Sequence, residues 1–255
     1  MNIKIQTCML WVLLYALPSS GQTKGIINYI LTVNDGMPGS PIMINYTLSF
    51  SGNKSIELPQ KKTTNTNPSA EISETESVKI ITSGNRVPFV YKDLGKNVLL
   101  LTNNISIRNY LVKDTLHRFE WQITGEQKKI LNYSCTKATT TFRGRNYEAW
   151  FTEDIPLSNG PWKFGGLPGL IMEVYDSEKI FKYELSGIDL KAAVLPELIA
   201  IPNAYLDDQS ISHKEFMNLY TTKKEELKAK SRIITYGSGF SSTSTTKLAE
   251  KIELF

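Results

Sequence analysis

The chain has 255 residues, 41% of them hydrophobic and 10% aromatic, with a formal net charge of +4. That composition suits one globular domain with a core of its own, with room for an appended tail. The charge is too weak to argue for nucleic acid, so no nucleic-acid partner is expected.

In chain order, residues 1–21 have the layout of a secretory signal peptide. Lys4 supplies the positive start, residues 8–17 form an apolar run, and Pro18 breaks it. Ser19 and Gly21 place small residues at the −3 and −1 positions of a cut before Gln22. The run is too short to span a bilayer, and no other run approaches that length, so no transmembrane segment is expected after signal removal. Loss of Lys4 takes the net charge to +3 and loss of Cys8 leaves Cys135 alone. An intramolecular disulfide is then impossible. Cys135 reads as a small core hydrophobe, with a reactive thiol or soft metal ligand as the competing reading.

Residues 25–34 and 42–50 are rich in β-branched and aromatic side chains, and Asp35-Gly36-Met37-Pro38-Gly39 separates them as a turn. In the second of these strands Ile42, Ile44, Tyr46, Leu48 and Phe50 share one face. Residues 51–88 change character to Lys, Thr, Asn, Ser and Glu, and predict an exposed polar insertion with its loop over 59–77 and a short strand at 78–82. Residues 99–102 predict a strand. Phe119, Trp121 and Ile123 alternate with Glu120, Gln122 and Thr124 as a half-buried strand, and residues 124–128 predict a turn. Residues 130–142 then continue as one long strand, ended by Arg143-Gly144-Arg145. In residues 146–152, Tyr147, Ala149 and Phe151 take one face, and Glu148 and Trp150 the other. Residues 170–175 and 180–185 form a hairpin around Asp176-Ser177-Glu178-Lys179.

Near the end, Ser212-His213-Lys214-Glu215 fits a capping box. Phe216, Leu219, Tyr220 and Leu227 follow as an apolar stripe through about residue 230. The fold expectation is therefore mainly β (α+β): a twisted antiparallel meander, curling toward a half-barrel, with one C-terminal amphipathic helix that covers the core. The single β-rich domain covers 22–230, and 231–255 is a loosely held tail.

The most informative stretch is Gly160-Pro161-Trp162-Lys163-Phe164-Gly165-Gly166-Leu167-Pro168-Gly169-Leu170-Ile171. Four glycines, two prolines and two aromatics in twelve residues fit neither a helix nor a central strand, so this is a shaped loop. Leu167-Pro168-Gly169-Leu170 fits a type II turn with Gly169 at positive φ. Gly165-Gly166 leaves room for close backbone approach. Leu167, Leu170 and Ile171 anchor the loop in the core, and Trp150, Trp162 and Phe164 pack beneath it or line a groove.

Three pieces occur in a joint pattern: Trp121-Gln122-Ile123 with residues 130–138, residues 142–152, and Ile155-Pro156 with the 160–171 loop and Asp176. In that order and spacing the chain resembles the GLPGLI family of exported bacterial proteins, named for the motif at Gly166–Ile171. The resemblance implies export and names no reaction.

The chain's two histidines, His117 and His213, lie in no recognisable catalytic motif, and no paired His or Cys motif has metal-ligand spacing. No catalytic residue, metal or cofactor is assigned. Candidate binding residues are Trp150, the 160–171 loop and Asp176. The expected function is an exported, non-catalytic envelope protein in the periplasm or at the outer membrane, acting as a binding or accessory module for an envelope partner or an apolar ligand. The competing readings are a hydrolase using carboxylates near the motif (Glu148, Glu153, Asp154, Glu173, Asp176) and a purely structural envelope protein.

Overall fold

A computed structural model describes residues 24–34, 36, 40–60, 86–116 and 119–234. The expected signal peptide, most of the 35–39 turn, the strand at 78–82, His117 and residues 235–255 lie outside them.

The fold is mainly β, with one C-terminal helix. Two antiparallel meanders share one twelve-stranded sheet. The first comprises β1 (Lys24–Val33), β2 (Ile42–Ser51), β3 (Lys54–Pro59), β4 (Val90–Asp93), β5 (Val98–Ile105) and β6 (Arg108–Asp114). The second comprises β7 (Gln122–Ile130), β8 (Tyr133–Phe142), β9 (Arg145–Thr152), β10 (Leu170–Asp176) and β11 (Phe181–Asp189). They join where β1 pairs antiparallel with β11. The short β12 (Ile211–Ser212) adds to β6 in parallel and leads into α1 (His213–Ile234). The two outer strands, β12 and β7, do not pair, so the sheet stays open. It nevertheless curls: Asp114, at the end of β6, bonds Arg143, in the turn between β8 and β9, although those strands lie near opposite ends of the strand order.

Alternating side chains explain which face the sheet buries. Ile27, Tyr29 and Leu31 of β1, Leu48 and Phe50 of β2, and Tyr147, Ala149 and Phe151 of β9 join one core cluster. The Tyr29 hydroxyl reaches past β11 and donates to the Ile171 carbonyl at 2.7 Å. On α1, the capping box forms as expected: the Glu215 amide donates to Ser212 Oγ and the Ser212 amide to the Glu215 carboxylate. Phe216, Met217 and Tyr220 then cover Leu99, Leu101 and Val112.

Several local expectations need correction. The polar insertion does not start at residue 51, because 54–59 is the strand β3, with Ser55, Ile56 and Glu57 buried. Residues 124–128 are not a turn. They belong to β7, whose register against β8 shifts between Ile123 and Gln127. The real turn follows Ile130, with Leu131 at φ 52°, and splits the expected long strand in two. β4 and β6 were not foreseen. On α1, Leu219 is exposed and Met217 takes the core position expected of it. His213 is mostly buried, with Nδ1 4.0 Å from Asp114. The helix runs to Ile234, into the stretch read as a tail.

Candidate ligand cavity beside the motif loop

The loop between β9 and β10 lies on the concave side of the sheet, and its own backbone folds it. Ile155 and Leu157 are buried, and their segment accepts returning bonds from Leu170 N to Ile155 O and from Ile171 N to Asn159 O. Asn159 and Gly165 form an antiparallel bridge. The tip turns where Phe164 N donates to Pro161 O, with Trp162 at φ 49°, a left-handed conformation that a bulky side chain seldom takes. Leu167, Leu170 and Ile171 are buried as the motif predicts.

The glycines serve in different places from those the sequence suggests. Gly169 has no positive φ, so the type II turn at Leu167–Leu170 is not formed. Its hydrogen is required instead because a Cβ there would lie 2.0 Å from the Thr152 carbonyl oxygen. The positive φ belongs to Gly166, at 86°, where the Trp121 ring is the nearest group. Gly160 packs against the Ile171 side chain.

Polar groups of the first meander hold the loop in place. Lys92 on β4 is buried, and its Nζ donates to Asn159 Oδ1, Gly160 O and Phe164 O at 2.8–2.9 Å. Three acceptors call for three N–H donors, which is the ammonium form. Burial pulls this group down to about 7, against the attraction of Glu57. Ser55 Oγ receives the Asn159 side-chain amide. Glu57 on β3 is also buried, and its Oε2 accepts the Trp162 backbone N–H at 2.8 Å. Burial pushes the Glu57 carboxyl up to about 7, and the Trp162 N–H and the Lys92 charge pull it back only in part. From the other side, Lys163 Nζ reaches Asp114 at 2.8 Å and Trp121 Nε1 donates to Gly165 O.

Glu57 and Trp162 line a cavity of about 210 Å³ between the loop, β2, β4, β5, β11 and α1. Its other walls include Tyr46, Leu101, Tyr183 and Met217. The Tyr46 and Tyr183 rings lie 6.3 Å apart at a tilt. Burial first, and the Glu57 charge second, push both phenols above the usual tyrosine range.

Of the sequence-predicted site residues, only Trp162 reaches this wall. Gly160, Pro161, Phe164, Gly165, Gly166, Leu167, Pro168, Gly169, Leu170 and Ile171 build the loop behind it. Phe164 lies within 5.5 Å of the Phe119, Tyr147 and Trp162 rings. Trp150 is not beneath the loop. It shares the opposite face of β9 with Glu148, and the Lys128 ammonium sits 4.3 Å from its ring. Asp176 is buried at the β10–β11 turn, bonded to Arg145 and to the Phe181 amide. The remaining carboxylates near the motif do not converge. Glu148 pairs with Lys137 and accepts from Tyr175, Glu173 pairs with Lys128 and Lys182, and Glu153 and Asp154 are exposed. Cys135 is buried in the core cluster, which pushes its thiol up.

Sequence reasoning missed Glu57, Lys92, Tyr46 and Tyr183. Tyr46 and Tyr183 lie on strands that were expected. The signal for the other two was a charge on the inward phase of a short apolar run, as in Ser55-Ile56-Glu57 and Val90-Tyr91-Lys92.

A family model described as "Protein of unknown function (Porph_ging)" matches residues 142–173, which span β9, the motif loop and the start of β10. The chain is thus similar to an uncharacterised family over the stretch that carries the GLPGLI resemblance, although the match does not carry that name. No curated protein matches the sequence. Two solved structures of PNGF-II, in the P21 and C2 space groups, are similar at 16% and 15% identity, with TM-scores of 0.48 and 0.49. The matches cover 79% of this chain and 34% and 33% of those chains, so this chain spans about a third of their length.

Proposed function

We propose that this is an exported, non-catalytic binding module of the cell envelope, whose cavity beside the motif loop takes a small apolar ligand. The observation that carries the reading is the cavity itself. Its walls are mostly aromatic and aliphatic side chains drawn from both meanders and the helix, with Thr102 and Asn103 among them, and one buried charged side chain, Glu57, lines it. Ligand sites commonly have this make-up, with mostly apolar walls and few polar groups. At about 210 Å³ it exceeds the roughly 150 Å³ of an apolar protein cavity that admits benzene. The motif loop then serves the ligand indirectly: it sets Trp162 in the wall and is locked there by Lys92. Export rests on the signal-peptide layout of residues 1–21.

Native mass spectrometry of the protein, gently purified from its own host's envelope, tests both halves. The expected result is a polypeptide that begins at Gln22 and carries a bound small molecule of defined mass. A chain that keeps residues 1–21 and leaves the cell interior bare would overturn the reading.

A further inference from the structure

We propose that the ligand of this cavity is an apolar molecule headed by one hydrogen-bond donor, an ammonium or a hydroxyl, which bonds the Glu57 oxygen that Trp162 leaves free. The inference rests on the cavity reading above and adds the chemistry of the head group. It starts from an incomplete set of bonds. Glu57 is 2% exposed, and a carboxylate accepts at both oxygens. Among the described residues its only hydrogen-bond donor is the Trp162 N–H, and that bond goes to Oε2. Lys92, the nearest cation by charge, is spent elsewhere: its three protons go to Asn159, Gly160 and Phe164. The other Glu57 oxygen has no protein donor among the described residues, so a donor on a ligand can bond it in place of water.

The rest of the wall supports the same polarity. The rings of Tyr46, Trp162 and Tyr183 offer π faces, which suit a donor or cation better than an anion. Two rings of the wall already carry one of the protein's own cations, Lys163 at 5.1 Å from the Trp162 centroid and Arg145 at 5.5 Å from that of Phe181. A carboxylate-headed ligand such as a fatty acid would meet Glu57 charge against charge. The groups that face Glu57 from neighbouring strands are Lys92 on β4, Tyr29 on β1, Tyr46 on β2 and Tyr183 on β11, and none of them supplies its missing donor.

The test is a calorimetric or NMR titration of the full chain with four probes of similar body: phenethylamine, 2-phenylethanol, ethylbenzene and 3-phenylpropionate. The expected result is that the amine or the alcohol binds at least tenfold tighter than ethylbenzene, and that the acid binds weakest. Whichever of the first two is tighter identifies the head group. Glu57→Gln should level the amine with ethylbenzene, and Met217→Phe, which fills the cavity from the helix, should weaken all probes. Should Glu57→Gln fail to fold, the four probes on the native chain still decide. Ethylbenzene binding as tightly as both donors would overturn this inference and leave the apolar reading standing. Failure of every probe to bind would overturn both. Donor binding that survives Met217→Phe unchanged lies outside the cavity and also overturns the inference.

Discussion

At the residue scale, the motif is a set of steric demands rather than a set of chemical groups. Gly169 faces the Thr152 carbonyl so closely that no Cβ fits, whereas Gly166 has space around it but a left-handed φ. The two should therefore fail differently. Gly169→Ala forces backbone apart and should cost at least about 3 kcal/mol, while Gly166→Ala pays only for its conformation, about 1–2 kcal/mol. Denaturant unfolding of the two variants measures both. Equal losses would mean that contact with Thr152 is not what selects glycine. The motif's spelling showed that the loop was shaped, but the role of each glycine was not legible, because close approach depends on a strand that the loop meets only after folding. Glu57 and Lys92 were hidden for a related reason. A polar residue in a short strand looks solvated until its partners, here Trp162 and Asn159, arrive from about a hundred and about seventy residues away.

At the element scale, hairpins with strong alternation were readable and short or irregular strands were not. β1, β2, β9, β10 and β11 follow their period-two patterns, and α1 announces itself by the capping box. β7 was read as a turn in its middle because residues 124–128 carry Gly125 among polar side chains, the chemistry of a turn, and the irregular register against β8 accommodates them within the strand. The ends of these elements meet at Asp114, the last residue of β6. It accepts from Arg143 and Lys163 and lies beside His213 at the start of α1. Burial alone would raise its carboxyl, but the Arg143 hydrogen bonds and the Lys163 charge outweigh that and hold it well below the ordinary 3.8. A depressed folded-state value means that the stabilisation is present above about pH 4 and is lost as the pH falls below it. The native chain should therefore lose stability on acidification through that range. Asp114→Asn should be less stable at neutral pH by on the order of 3–5 kcal/mol and show a shallower acid limb. Parallel acid limbs for the two proteins would remove Asp114 from the account.

At the scale of the whole molecule, an open sheet has to fill its concave side without closing its edges. Here the motif loop and α1 do the filling, and the space they leave is the cavity. An antiparallel meander and a covering helix were legible from the sequence, but not that the strands fall into two meanders joined through β1 and β11. The curl that brings β6 to the β8–β9 turn was legible only as a tendency, since it is fixed by long-range pairs such as Asp114 with Arg143. The position of the cavity was not legible, because its walls come from β2, β4, β5, β11, α1 and Trp162 together. The claim on which the functional reading stands is that this space is mostly apolar and accessible. Xenon-pressurised crystals of the protein test it most directly, since xenon enters dry apolar cavities and avoids wet ones. The account predicts a xenon atom between Trp162, Tyr183 and Met217. Crystals that take up xenon elsewhere, or none at all, with the Trp162–Met217 space collapsed, would contradict it.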